Sequence, residues 1–162
     1  MKKLNITFTT ILLALGCFAL SPAVQADPRP TPMPRADGPP IVGLWHVVFF
    51  ADPNYTTPLG LETYKQWHSD GLEFESANAS QGAVCVGTWK QMASNMVSLY
   101  HVGWTYGDPP GTYRFVETET DTVSLDRNSY DGTIEQTLYD MDGNQVGDPE
   151  LAYIHATRLP PQ

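Results

Sequence analysis

Cysteine is almost missing from this chain. It occurs twice, as Cys17 and Cys85, and Cys17 falls in a segment that reads as a removable leader. The folded part then keeps Cys85 alone, so it can form no internal disulfide and must be held by a packed core. Cys85 sits in the apolar, strand-like setting Val84-Cys85-Val86, where a buried, inert thiol is expected. Basic residues are scarce as well: nine Lys and Arg stand against 18 Asp and Glu, a net charge of −9. Such a surface is repelled by nucleic acid and by anionic membranes, which excludes both as partners. No apolar run approaches the roughly 20 residues needed to span a bilayer, so no stable membrane insertion is expected. Helical periodicity is absent beyond about two turns. Also lacking are G-x-S-x-G, a phosphate loop and a dinucleotide fingerprint, so no cofactor is expected and no reaction is named.

The N-terminal segment reads as an export signal. Met1-Lys2-Lys3 is a short positive start, Ile11 to Leu20 is an uncharged apolar run, and Val24-Gln25-Ala26 offers small residues to a signal peptidase. The reading is a signal peptide over 1–26 and a protein that is secreted or periplasmic. A second reading is a lipoprotein box at Leu13-Ala14-Leu15-Gly16-Cys17, which would lipidate Cys17; the leucine usual three residues before the cysteine is Ala14 here. Residues 27–40 read DPRPTPMPRADGPP, with six prolines. That composition gives an extended, disordered Pro-rich arm that cannot enter a sheet interior.

From residue 41 to 160 the texture is that of one β domain. Short runs rich in Val, Tyr, Trp, Phe and Thr read as strands near 41–50, 61–68, 72–77, 83–91, 96–106, 112–119, 122–127, 130–140 and 150–159. Turn residues punctuate them, as at Asp70-Gly71, Asp108-Pro109-Pro110-Gly111 and Asp142-Gly143-Asn144. The expected fold is all-β, an antiparallel up-and-down barrel of about eight to ten strands. Taken as a two-residue type I′ turn, Asp70-Gly71 sets His68 opposite Glu73 and Trp67 opposite Phe74. Trp67 and Phe74 would then face the core, with His68, Glu73, Gln66 and Glu75 in solvent.

The first strand carries Gly43-Leu44-Trp45 and the last carries Arg158. A G-x-W on the first strand with an arginine on the last resembles the lipocalins and the wider calycin group. The resemblance implies that Trp45 plugs the closed end of the barrel, that Arg158 packs across it, and that Gly43 permits their close approach. A guanidinium stacked on an indole, with its donors on nearby carbonyls, is the physical basis of such a cap. The middle T-D-Y-type motif and the disulfides of many members are absent.

Four groups of residues invite a chemical reading. His46, His68, His101 and His155 lack close ligand spacing, and the odd separations of His46, His68 and His101 from the tryptophans put them outside if the tryptophans point in. His155 would lie outside too, with Ile154 and Arg158 facing inward. No metal site is therefore expected. Asp140-x-Asp142-Gly143-Asn144 resembles a calcium loop but has Gln145 and Leu151 where an EF-hand needs glycine and glutamate, so a tight turn is expected. Glu117 and Glu119 share a face, read as the solvated side of a sheet. The aromatic set Trp67, Phe74, Trp89, Tyr100, Trp104, Tyr113 and Phe115 recurs across neighbouring strands. It serves either as a filled core or as the lining of a cavity for a small apolar or aromatic ligand. The leading functional expectation is thus an exported binding protein for a small, partly apolar ligand. An isomerase or hydrolase built on a His/carboxylate site is the alternative, and a filled-core interaction domain is a third.

Overall fold

The computed structural model describes residues 38–79, 84–106 and 111–161. The segments expected to be a leader and most of a Pro-rich arm, residues 1–37, lie outside them. Within them the chain forms eight strands and no helix: β1 Gly43–Phe50, β2 Pro58–Trp67, β3 Leu72–Ala77, β4 Val84–Gln91, β5 Met96–Tyr106, β6 Thr112–Val123, β7 Ser129–Tyr139 and β8 Gln145–Arg158. Each pairs antiparallel with the next, and β8 returns to β1, so the sheet closes into an up-and-down barrel. Closure leaves no edge strand to recruit another chain. The expected strands at 112–119 and 122–127 join in one continuous β6, as Thr120-Asp121 between them carries neither proline nor glycine.

The register at Asp70-Gly71 departs from the two-residue turn. Trp67 faces Glu73, Gln66 faces Phe74 and Lys65 faces Glu75. The loop contains three residues: Gly71 N donates to His68 O, His68 N donates to Leu72 O, and Gly71 adopts φ +89°. This is the type I turn with a left-handed glycine, which takes one residue more than a type I′ turn. A one-residue slip turns every side chain of the following strand over. Glu73 and Glu75 therefore point into the barrel, and Phe74 stands on the outer wall, 40% exposed.

The barrel has an apolar base. Trp45, Trp67, Tyr130, Val97, Leu99, Val123 and Ala156 are all buried there. The Trp45 and Tyr130 rings meet edge to face with centroids 4.8 Å apart, and Trp45 Nε1 donates to Ile41 O at 2.7 Å. Arg158 lies across the outside of this plug, its guanidinium carbon 4.0 Å from the Trp45 ring centroid. Its donors reach three carbonyls, those of Arg127 at 2.6 Å, Val42 at 2.8 Å and Pro40 at 2.5 Å. Gly43, at φ +140°, has no side chain because a Cβ there would strike Arg158 Nη1. One arginine thus ties the entry of β1, the β6–β7 turn and the end of β8 together. Arg158→Ala removes three charge-assisted hydrogen bonds and a cation–π contact, and is expected to cost about 3 kcal/mol. Denaturant titration reads this directly; a change under about 0.5 kcal/mol would show that the cap does not hold the base.

Candidate functional site

Above the apolar base the barrel interior becomes charged. Lys65 on β2, Glu73 and Glu75 on β3, His101 on β5, and Glu117, Glu119 and Asp121 on β6 all point inward and are buried. Room for them comes from glycines placed directly across the strand pairs. Gly87 faces Glu73 and Gly132 faces Asp121. A Cβ at Gly87 would lie 2.9 Å from Glu73 Oε2, and one at Gly132 would strike Asp121 Oδ1. Glycine inside a strand commonly marks such close approach.

Lys65 Nζ lies 3.0 Å from Glu75 Oε2 and pairs closely with Glu119. His101 Nδ1 lies 3.3 Å from Glu73 Oε2 and 3.8 Å from Glu75 Oε2, contacts without hydrogen-bond alignment. Gln136 Nε2 donates to Glu117 Oε1 at 2.5 Å. Neither ring nitrogen of His101 and neither carboxyl oxygen of Glu73 has a hydrogen-bond partner among the described residues. Orphaned buried polar atoms cost about 1–3 kcal/mol each, so this cluster does not serve stability.

The electrostatics follow from burial. Loss of water raises the Glu73 carboxyl to about 9, against the pull of Lys65. Burial, with Glu75 and Glu119 nearby, raises Glu117 to about 8. Glu75 and Asp121 move upward for the same reason. Burial, helped by Lys65, lowers His101 to about 2, so its ring is neutral. Burial also works against the Lys65 ammonium, but Glu119 and Glu75 override it and hold the group well above its usual value. The Cys85 thiol is pushed up to about 12, first by burial and then by Glu75 and Glu117. It is free and buried, chemically quiet at neutral pH.

At the end opposite Trp45 the barrel opens. A cavity of about 270 Å³ is walled by Phe49, Leu61, Trp104, Tyr106, Tyr113, Phe115 and Leu138, and Glu75, Cys85, Glu117 and Gln136 also line it. A neighbouring cavity of about 390 Å³ shares Phe49, Leu61, Glu117 and Gln136, and extends to Leu59, Glu150 and Leu151. Three carboxyls, an amide and a thiol therefore sit among aromatic and aliphatic walls.

The aromatic set named from sequence divides three ways. Trp104, Tyr113 and Phe115 meet at the mouth. Trp67 and Trp89 pack at the base, their ring centroids 5.9 Å apart. Phe74 and Tyr100, expected to face the barrel interior, stand on its outer wall instead. The histidines divide too. His46 and His155 lie on the outer wall, paired with Glu62 and Asp131, and His68 is exposed. His101 is the exception: it is fully buried while Trp104 is 48% exposed, the reverse of the expected facing. Glu117 and Glu119 share a face as expected, but that face is the interior. The sequence hint for these carboxyls was the set of mid-strand glycines, each opposite a large inward side chain. Asp140 accepts from the backbone N–H groups of Asp142 and Asn144, as a tight turn requires.

Comparison with protein-family models, with curated proteins and with solved structures finds no match to this chain.

Proposed function

We propose that this chain is an exported binding protein that takes a small, partly apolar ligand into the mouth of a lipocalin-like barrel. The observation that carries this reading is the mouth cavity, where Tyr113 and Phe115 form a wall beside Glu75, Glu117 and Gln136, with Trp104 at its rim. Apolar walls with a few convergent polar groups are the usual composition of a small-molecule site. The volume suits a ligand of one or two rings with a hydrogen-bonding end. The Trp45–Arg158 cap supports the lipocalin-like reading. The apolar stretch before Ala26 supports export, to the periplasm or the medium.

A second reading, an isomerase or hydrolase, draws on the contact between His101 and Glu73. It is less favoured, because His101 and Glu73 line neither mouth cavity. A molecule resting there meets Glu75 and Glu117 but not the histidine.

Native mass spectrometry of protein purified gently from its own host tests the binding reading. The expected result is a co-purified small mass, lost on denaturation and lost again in a Phe115→Ala, Tyr113→Ala variant that remains folded. A bare polypeptide mass, together with unchanged tryptophan fluorescence across a panel of small aromatic acids, amines and alcohols, would overturn it.

A further inference from the structure

We propose that the barrel centre, beneath the mouth, is a binding site for one divalent transition-metal ion held by His101, Glu73 and Glu75. Ligand atoms of these three residues lie within 4.8 Å of one another, and a second group of His101, Glu117 and Glu119 meets the same condition. His101 belongs to both groups, so up to four carboxyls converge on one imidazole.

Three observations make this more than a cluster of acids. The first is spacing. Donors about 2.1 Å from a tetrahedral ion are about 3.4 Å apart, and His101 Nδ1 stands 3.3 Å from Glu73 Oε2 and 3.8 Å from Glu75 Oε2. The second is the orphaned polar atoms. His101 and Glu73 are 0% exposed, yet neither ring nitrogen and neither carboxyl oxygen is hydrogen-bonded among the described residues. An ion at that point would take up lone pairs that the protein leaves idle. The third is donor supply. Five inward carboxyls share a single ammonium, Lys65, which pairs with Glu119 and with Glu75 Oε2, the same oxygen that lies 3.8 Å from His101 Nδ1, so an ion there would share that oxygen with Lys65.

The donor set also selects the ion. One imidazole with carboxylate oxygens fits zinc, manganese or ferrous iron. Calcium prefers six to eight oxygens, and a soft-metal site would use thiolate. The sequence carries no H-x-H signature because the donors come from two strands. Glu73 and Glu75 are two apart on β3, hence on one face, and His101 arrives from β5. Entry is through the mouth, whose lining includes Glu75 and Glu117. Glu75 is common to this site and to the mouth cavity.

The test uses the full chain, stripped with chelator and dialysed against Zn²⁺, with metal content measured per chain. One ion per chain is expected, with a rise in melting temperature. Occupancy should fall at least tenfold in His101→Gln and in Glu73→Gln, and persist in His155→Gln on the outer wall. X-ray absorption at the zinc edge of the unaltered protein reads the donors even if a variant fails to fold. One imidazole with oxygen donors is expected there. A folded protein that takes up no zinc, a sulfur donor, or two or more imidazoles would each overturn the proposal.

Discussion

Replacing Lys65 with Met is expected to lower stability by about 3–5 kcal/mol at pH 7, because it removes one partner of a buried ionic group and leaves the others uncompensated. Lys65 is 0% exposed and is the only inward ammonium among the described residues, paired with Glu75 at 3.0 Å and with Glu119. Methionine fills most of the same volume, so packing loss contributes little and the electrostatic deficit dominates. Two features separate this account from a cavity effect. Glu119→Gln added to Lys65→Met should restore part of the loss, since the stranded carboxylate is gone. Lowering the pH to 4.5 should restore part of it too, through the carboxylates that Lys65 had kept ionised, Glu73 and Glu117 being already protonated at pH 7. Urea titrations of the single and double variants at both pH values provide the check. A Lys65→Met midpoint within about 1 kcal/mol of the parent at pH 7 would mean that these ion pairs contribute nothing.

The second large effect is an acid-shifted stability optimum. Glu73 and Glu117 titrate near 9 and 8 in the folded chain, against an ordinary value of 4.5. A carboxyl raised on folding contributes stability that is complete below its unfolded value and is lost as pH rises toward its folded one. Each costs about 1.4 kcal/mol per pH unit across that window. His101 acts in the opposite sense. Its folded value near 2 lies below the ordinary 6.5, so its contribution is complete above 6.5 and is lost as pH falls. Between 4.5 and 6.5 one histidine offsets one of the two carboxyls; above 6.5 nothing does. The expected outcome is a maximum near pH 4.5–5 and a loss of about 6 kcal/mol by pH 8, where many proteins are near their best. Glu75 and Asp121 are displaced in the same direction and add to it. The titration belongs in chelator, since a bound cation would keep the carboxylates ionised and flatten the profile. A flat profile, or a maximum near pH 7.5, would show that the interior is wetter than its burial indicates.

The barrel was legible in the sequence, and its interior was not. Turn residues divided the chain at nearly every strand boundary, and Trp45 with Arg158 marked the two strands that close the sheet. The interior failed to show for two physical reasons. On β6 the inward residues are Glu117, Glu119 and Asp121, and the outward ones are Thr118, Thr120 and Thr122. Both faces are polar, so hydropathy cannot tell inside from outside. On β3 the facing depended on one turn, because Asp70-Gly71 suits either a two-residue or a three-residue loop, and the choice decides whether Glu73 or Phe74 is buried. Periodicity finds a strand; only register against its neighbours finds its inner face. His101 was hidden in the same way, since Trp104 three residues later was assumed to point inward.

The cap of Arg158 has a consequence for how this molecule can be held. Pro40 and Val42, which it binds, lead into β1, while Arg158 itself ends β8, and Leu159 N donates to Leu44 O beside it. The barrel's chain therefore enters and leaves through its base, the end remote from Trp104 and Phe115. A cup fixed by its foot keeps its rim clear.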